Sequence, residues 1–163
     1  MEKVVVLGVG NILMQDEGFG VRTIEELSRR YVFPDNVEVL DGGTLGMELL
    51  RFIDGADRLL IIDAVNGDGQ PGTCYQFSNE EVKSYFKKKV SMHELGIQDV
   101  LTALELLEKP VNDVVILGVQ PAVIDVGLEL SPVVQATVPP TVESVIDVLD
   151  SWGIKGDLNQ TAF

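Results

Sequence analysis

The chain has 163 residues, a 45% apolar share and a formal net charge of −14, from 26 acids against 12 bases. That length suits one domain with a full hydrophobic core, and no run approaches the roughly 18 unbroken apolar residues of a membrane span. The charge disfavours nucleic acid, whose phosphates need clustered Lys and Arg.

No charged n-region stands ahead of an apolar stretch, so no secretory signal is expected. A lone cysteine, Cys74, can form no intramolecular disulfide, which fits a reducing cytoplasm. The basic run Lys87-Lys88-Lys89 is short and reads as a solvated face, whereas a metal cation or basic peptide suits this acidic field.

The β-branched run Val4 to Gly8, stopped by Gly8-Val9-Gly10, predicts a first buried strand. A polar turn with two adjacent acids, Asp16 and Glu17, follows it. Helical spacing at Val21, Ile24, Leu27, Ser28 and Tyr31 then ends before Pro34. Val37 to Leu40 is a second strand, running into Asp41-Gly42-Gly43-Thr44, where Thr44 is a candidate N-cap for a helix through Met47, Leu50 and Ile53. Leu59 to Val65 is the most apolar strand and belongs at the centre of a sheet, buried on both faces.

Asn66 to Gly72 is turn chemistry, and Thr73 to Phe77 reads as an edge strand. Ser78 with Glu81 three residues on forms a capping-box pattern. A further helix is expected over about 97–108, a strand over Val114 to Val119, and a last helix with Val142, Val145, Ile146, Leu149 and Trp152 on one face. Residues 1–155 are expected to form a single domain and 156–163 a flexible, frayed tail.

Strand alternating with helix predicts an α/β three-layer sandwich: a mostly parallel five-stranded sheet with helices on both faces. In such sheets the carboxyl ends of the strands share one edge, where ligands bind. Asp16 and Glu17 follow the first strand, Asp41 the second, and Asp63 ends the third, so these acids are expected to converge. The sole histidine, His93, precedes the 97–108 helix and can join Glu17 and Asp63 in a set of one imidazole and two carboxylates. That set suits a divalent first-row ion such as Zn²⁺ or Ni²⁺.

Each residue has a plainer reading. His93 alone is more often a capping or surface histidine, and Glu17 alone an acid favoured by a helix N-terminus. Asp63 is harder to dismiss, because a carboxylate ending the most apolar strand is expensive to bury. A dinucleotide site is disfavoured: Leu13 stands where the third fingerprint glycine belongs, and Asp16 and Glu17 would repel a pyrophosphate. A thiol hydrolase built on Cys74 is disfavoured too, since no helix N-terminus or basic neighbour lowers that thiol's pKa and a buried structural role is expected.

The motifs together resemble the NiFe-hydrogenase maturation endopeptidases over nearly the whole chain. The resemblance rests on Gly8-Val9-Gly10-Asn11-Ile12-Leu13 with Asp16-Glu17-Gly18, Asp41-Gly42-Gly43-Thr44 with Gly46 to Leu50, Ile62-Asp63-Ala64, His93-Glu94-Leu95-Gly96 with Asp99-Val100-Leu101, and Gly118-Val119-Gln120-Pro121. It implies that Glu17, Asp63 and His93 ligate nickel supplied by the substrate, with zinc or cadmium able to substitute in vitro, and that the Asp41 loop shapes the cleft. The implied partner is a nickel-loaded hydrogenase large-subunit precursor, trimmed of a C-terminal extension by a cytoplasmic enzyme expected to be a monomer. Asp16 or Asp41 is an auxiliary candidate for general base. Three further readings stay open: a metal serving only as a recognition tag while carboxylates activate water as in aspartic proteases, a nickel carrier or chaperone that does not cut, and an unrelated small α/β metallohydrolase acting on small substrates.

Overall fold

The computed structural model describes residues 2–43, 48, 50–82, 84 and 111–159. Five strands form the central sheet: β1 Val4–Val9, β3 Val37–Gly43, β4 Arg58–Ala64, β5 Cys74–Ser78 and β6 Asp113–Val119. Their spatial order is β3-β1-β4-β6-β5. All neighbours run parallel except β5, which pairs antiparallel with β6 at one edge. The α/β sandwich with a mostly parallel five-stranded sheet is therefore the fold, with the most apolar strand in the middle.

The pleat sorts the side chains between two cores. Val4, Val6, Leu60, Ile62 and Ala64 face one way, packing with Phe19, Ile24, Leu27, Val142, Val145 and Leu149. Val5, Leu7, Val9, Leu59 and Ile61 face the other way with Ile53, Ala56 and Val82. Leu59 to Ile62 are at most 1% exposed, and each such side chain contributes roughly 1.5–3 kcal/mol on leaving water. A strand buried on both faces reads as an unbroken apolar run, which is why β4 was recognisable.

Helix α1, Phe19–Arg30, buries Phe19, Val21, Ile24 and Leu27 on one face. It lies directly on the sheet because Gly20 has no side chain: a Cβ there would run into the Ile62 carbonyl and lie 2.5 Å from the Val9 carbonyl oxygen. Arg29 and Arg30 in its last turn suit the helix dipole and pair with Glu26. The expected helical residue Tyr31 instead takes extended backbone and opens β2, Tyr31–Val32.

That short strand also corrects the expected tail. Asp157–Leu158, β7, pairs antiparallel with β2, and the Asn159 N–H donates to the Arg30 carbonyl at 2.7 Å. Unpaired backbone donors and acceptors at both ends are thereby satisfied, so these residues are held rather than frayed. Residues 160–163 lie outside the described set, as do Thr44, Met47, Lys87-Lys88-Lys89 and the 97–108 helix.

Of the remaining helices, α2 is Leu50–Ile53, α3 is Pro132–Gln135 and α4 is Val138–Ser151. The last buries Val142, Val145 and Leu149 as expected, with Ile146 and Trp152 partly buried beside them. Residues 80–82 are helical, and the Glu81 carboxylate accepts from the Ser78 N–H at 3.2 Å, the acid half of the capping box.

The connection order puts a crevice in a definite place. From β1 the chain crosses to β3 on one side, then returns past β1 to β4 on the other. Loops leaving the carboxyl ends of β1 and β4 thus diverge, and ligands in open α/β sheets bind at this switch point. Glu17 follows β1, and Asp63 is the next-to-last residue of β4.

Candidate active site

Past β1 the chain is bent by local hydrogen bonds. The Asn11 side chain accepts from the Leu13 N–H at 2.9 Å, and its carbonyl accepts from Met14 at 3.1 Å, an Asx-turn of the kind short polar side chains favour. A 3₁₀ turn, Gln15–Gly18, follows and carries both acids. Helix α1 starts only after it, so its N-terminus does not point at the glycine turn as a pyrophosphate site would require.

Gly10 makes the junction. Its φ of +127° is open to glycine alone, and a Cβ there would collide with the Glu17 carbonyl and lie 3.8 Å from Asp63 Oδ1. The Glu17 backbone carbonyl therefore fills the place a side chain at Gly10 would take, with the Asp63 carboxylate beyond it. Asp63 is 4% exposed, opposite Gly118 of β6, and Glu17 is half-buried. The turn that carries Glu17 and the carboxylate of Asp63 thus both lie near Gly10, at the switch point.

The other candidates part company. Asp41 pairs in register with Gly8, as does Ile62. Alternation along β3 places it with Val37 and Val39 toward the α1 side, while Asp63 follows Leu59 and Ile61 to the opposite face. With β1 between their strands, Asp41 and Asp63 are also about 10 Å apart across the sheet. The expected convergence of all the acids is thus corrected at Asp41, an exposed residue on a different face. His93 lies outside the described residues, and among those residues no three His, Cys, Asp or Glu side chains cluster as metal ligands.

Asp16 is fully buried, and its carboxylate is taken up by the segment that follows β6. Its Oδ2 accepts from the N–H groups of Ala122 and Val123, both at 2.9 Å, and from the Ser131 hydroxyl at 2.8 Å. Its Oδ1 accepts from the Ser131 N–H at 2.7 Å. Burial pushes its pKa up, but these hydrogen bonds outweigh burial and leave it below the ordinary value. A carboxylate so committed is a poor proton acceptor, and its geometry is that of a clamp between the Glu17 turn and residues 122–131.

Gln120, just beyond β6, does the same for the neighbouring loop. Its Oε1 accepts from the Gly67 N–H at 2.8 Å, the Gly69 N–H at 3.3 Å and the Tyr75 hydroxyl at 3.0 Å, and its Nε2 donates to Asn66. One amide thus shapes the 66–72 loop that follows Asp63. Nothing in its sequence neighbourhood points to this role, because its partners lie some fifty residues away.

Cys74, expected to be buried, sits exposed on edge strand β5. Desolvation of its sulfur still pushes the thiol pKa up, away from a reactive thiolate. Cys74→Ala is expected to retain peptidase activity within about twofold, because edge-strand substitutions remote from a site change little. A loss of turnover in that variant would return the thiol to the mechanism.

Comparison with known proteins agrees with this fold. The HycI family model, hydrogenase maturation protease, matches residues 21–148. The hydrogenase 2 maturation protease of Escherichia coli is 43% identical over 154 residues, covering 94% of each chain. The hydrogenase expression/formation protein HupD of Bradyrhizobium diazoefficiens is 42% identical over 154 residues, 93% of this chain and 80% of its own.

Among solved structures, the hydrogenase maturating endopeptidase HybD from E. coli superposes with a TM-score of 0.93 at 41% identity, over 98% of this chain and 99% of that one. The HybD maturation protease from Thermococcus kodakarensis gives 0.75 at 31% identity, over 90% and 98%. Matched in sequence and in fold across nearly the whole chain, the protein belongs to the hydrogenase maturation protease family and is a peptidase.

Proposed function

We propose that this peptidase removes the C-terminal extension of a NiFe-hydrogenase large-subunit precursor, and that it does so only once the precursor carries nickel. The observation behind this reading is that the turn carrying Glu17 and the carboxylate of Asp63 both lie near Gly10 at the sheet's switch point. Two carboxylates there suit a hard or borderline dication, and His93 would supply the imidazole of a mixed set.

The nickel belongs to the substrate in this scheme, so the protein's task is to dock it. Glu17, Asp63 and His93 would hold the metal end of the precursor and thereby fix where the scissile peptide lies. A docked dication can polarise the carbonyl under attack and make a bound water acidic. Like-charged side chains repel when no cation lies between them, so a metal-free precursor would find the site poorly formed. Premature trimming would then be suppressed by electrostatics alone.

Mass spectrometry of purified precursor after incubation with the protein tests this directly. Loss of the C-terminal extension from nickel-loaded precursor, with nickel-free precursor intact, is the expected result. Equal trimming of both forms would overturn the nickel requirement. An intact extension in both would instead favour a carrier that binds without cutting.

A further inference from the structure

Residues 122–131 form no strand or long helix, yet they are fastened at several points. Met14 and Gly127 form a parallel bridge, the Gln15 N–H donates to the Gly127 carbonyl at 3.0 Å, and the Gly127 N–H donates to the Leu13 carbonyl at 2.9 Å. Asp16 clamps both ends of the segment. Arg22 of α1 donates to the Leu128 carbonyl at 3.0 Å.

This ordered strap displays apolar side chains to solvent. Among the described residues, eight large apolar side chains are exposed, and six of them are Leu13, Val123, Ile124, Val126, Leu128 and Val133. Val126 is 82% exposed and Leu128 59%. Loops are ordinarily polar and mobile, and a contiguous exposed apolar surface marks an interaction site. Here part-buried hydrogen bonds fasten the backbone that carries these side chains, which lowers the ordering cost of a partner's binding.

We propose that this ridge docks the body of the precursor, through a partner face that is apolar and flanked by Lys or Arg. The inference rests on the substrate reading above and adds a second contact outside the cleavage crevice. Two observations select this occupant. The strap is hydrogen-bonded to the very turn that carries Glu17, so a protein seated in the crevice continues onto it. Asp125 and Glu129 interleave with Ile124, Val126 and Leu128 on a chain of net charge −14, so a basic rim on the partner is complementary.

The test compares wild type with Ile124→Ser/Val126→Ser/Leu128→Ser and with the single variant Val126→Asp. All three positions are exposed, and the melting temperature reports whether the fold is kept. Precursor binding is measured by interferometry, cleavage kinetics by mass spectrometry, and self-association by sedimentation.

The triple variant is expected to bind precursor about tenfold more weakly and to show a similar rise in KM with kcat preserved. Raising the salt concentration should weaken wild-type binding and weaken binding less in Asp125→Asn/Glu129→Gln. Unchanged binding and KM in the folded triple variant would overturn the proposal. A wild-type dimer dissolved by the same substitutions would overturn it too, by assigning the ridge to a second copy of this chain. Ridge-dependent binding with the extension left intact would support the docking surface while removing the cleavage reading.

Discussion

Asp63→Asn and Glu17→Gln are each expected to lower precursor cleavage by about a thousandfold or more, equivalent to roughly 4 kcal/mol of transition-state stabilisation. Both replacements keep shape and remove charge. Asp63 ends a strand whose four preceding residues are at most 1% exposed, and a charge in such a place is costly to bury. The amide should therefore leave unfolding free energy within about 1 kcal/mol of wild type. Normal urea melting with cleavage lost is the signature of a residue kept for chemistry. Cleavage rates near wild type in either variant would remove that residue from the site, and His93→Gln should behave as the two acid variants do.

Most of the sheet was legible because burial leaves a plain trace. The apolar runs at Val4–Leu7 and Leu59–Ile62 read as strands covered on both faces, and the Gly8 and Asp63 that follow them mark the carboxyl edge. The spacing of Val142, Val145 and Leu149 likewise could only bury one helical face. The placement of the Glu17 turn and of Asp63 at one edge was legible too, since parallel strands bring their carboxyl ends together.

What escaped the sequence was decided by register and by long-range hydrogen bonds. Asp41 looked equivalent to Asp63, but the pairing of Gly8 with Asp41 and with Ile62 sets Asp41 and Asp63 on opposite faces of the pleat. A one-residue change of register would have reversed that outcome. Tyr31 fitted the helical spacing, yet pairing with Leu158 offered its backbone partners that a fraying helix end lacks. Asp16 and Gln120 find their partners about a hundred and about fifty residues away, at distances in sequence that no local pattern encodes.

Asp16 therefore carries the other large prediction. Asp16→Ala removes the acceptor of the part-buried N–H groups of Ala122, Val123 and Ser131, and should destabilise the protein by about 2–4 kcal/mol, since hydrogen bonds to a charged group contribute more than neutral ones. Asp16→Asn keeps one carbonyl oxygen but sets an amide NH₂ against N–H donors, so it should rescue little. The sign of the pH dependence follows from the lowered pKa. Below the ordinary value near 3.8 the unfolded chain takes up the proton first, so stability rises with pH across that window and is fully present above it. As pH falls from 5 through the folded value, wild type should lose this contribution, and the Asp16→Ala variant, having none, should show a shallower acid limb in urea melts. Because the clamp also seats the Glu17 turn and the 122–131 strap, the same variant should lose cleavage and precursor binding together, whereas Asp63→Asn should lose cleavage while keeping the contacts of the ridge. A variant of Asp16 that melts and cleaves as wild type would mean the turn holds Glu17 without it.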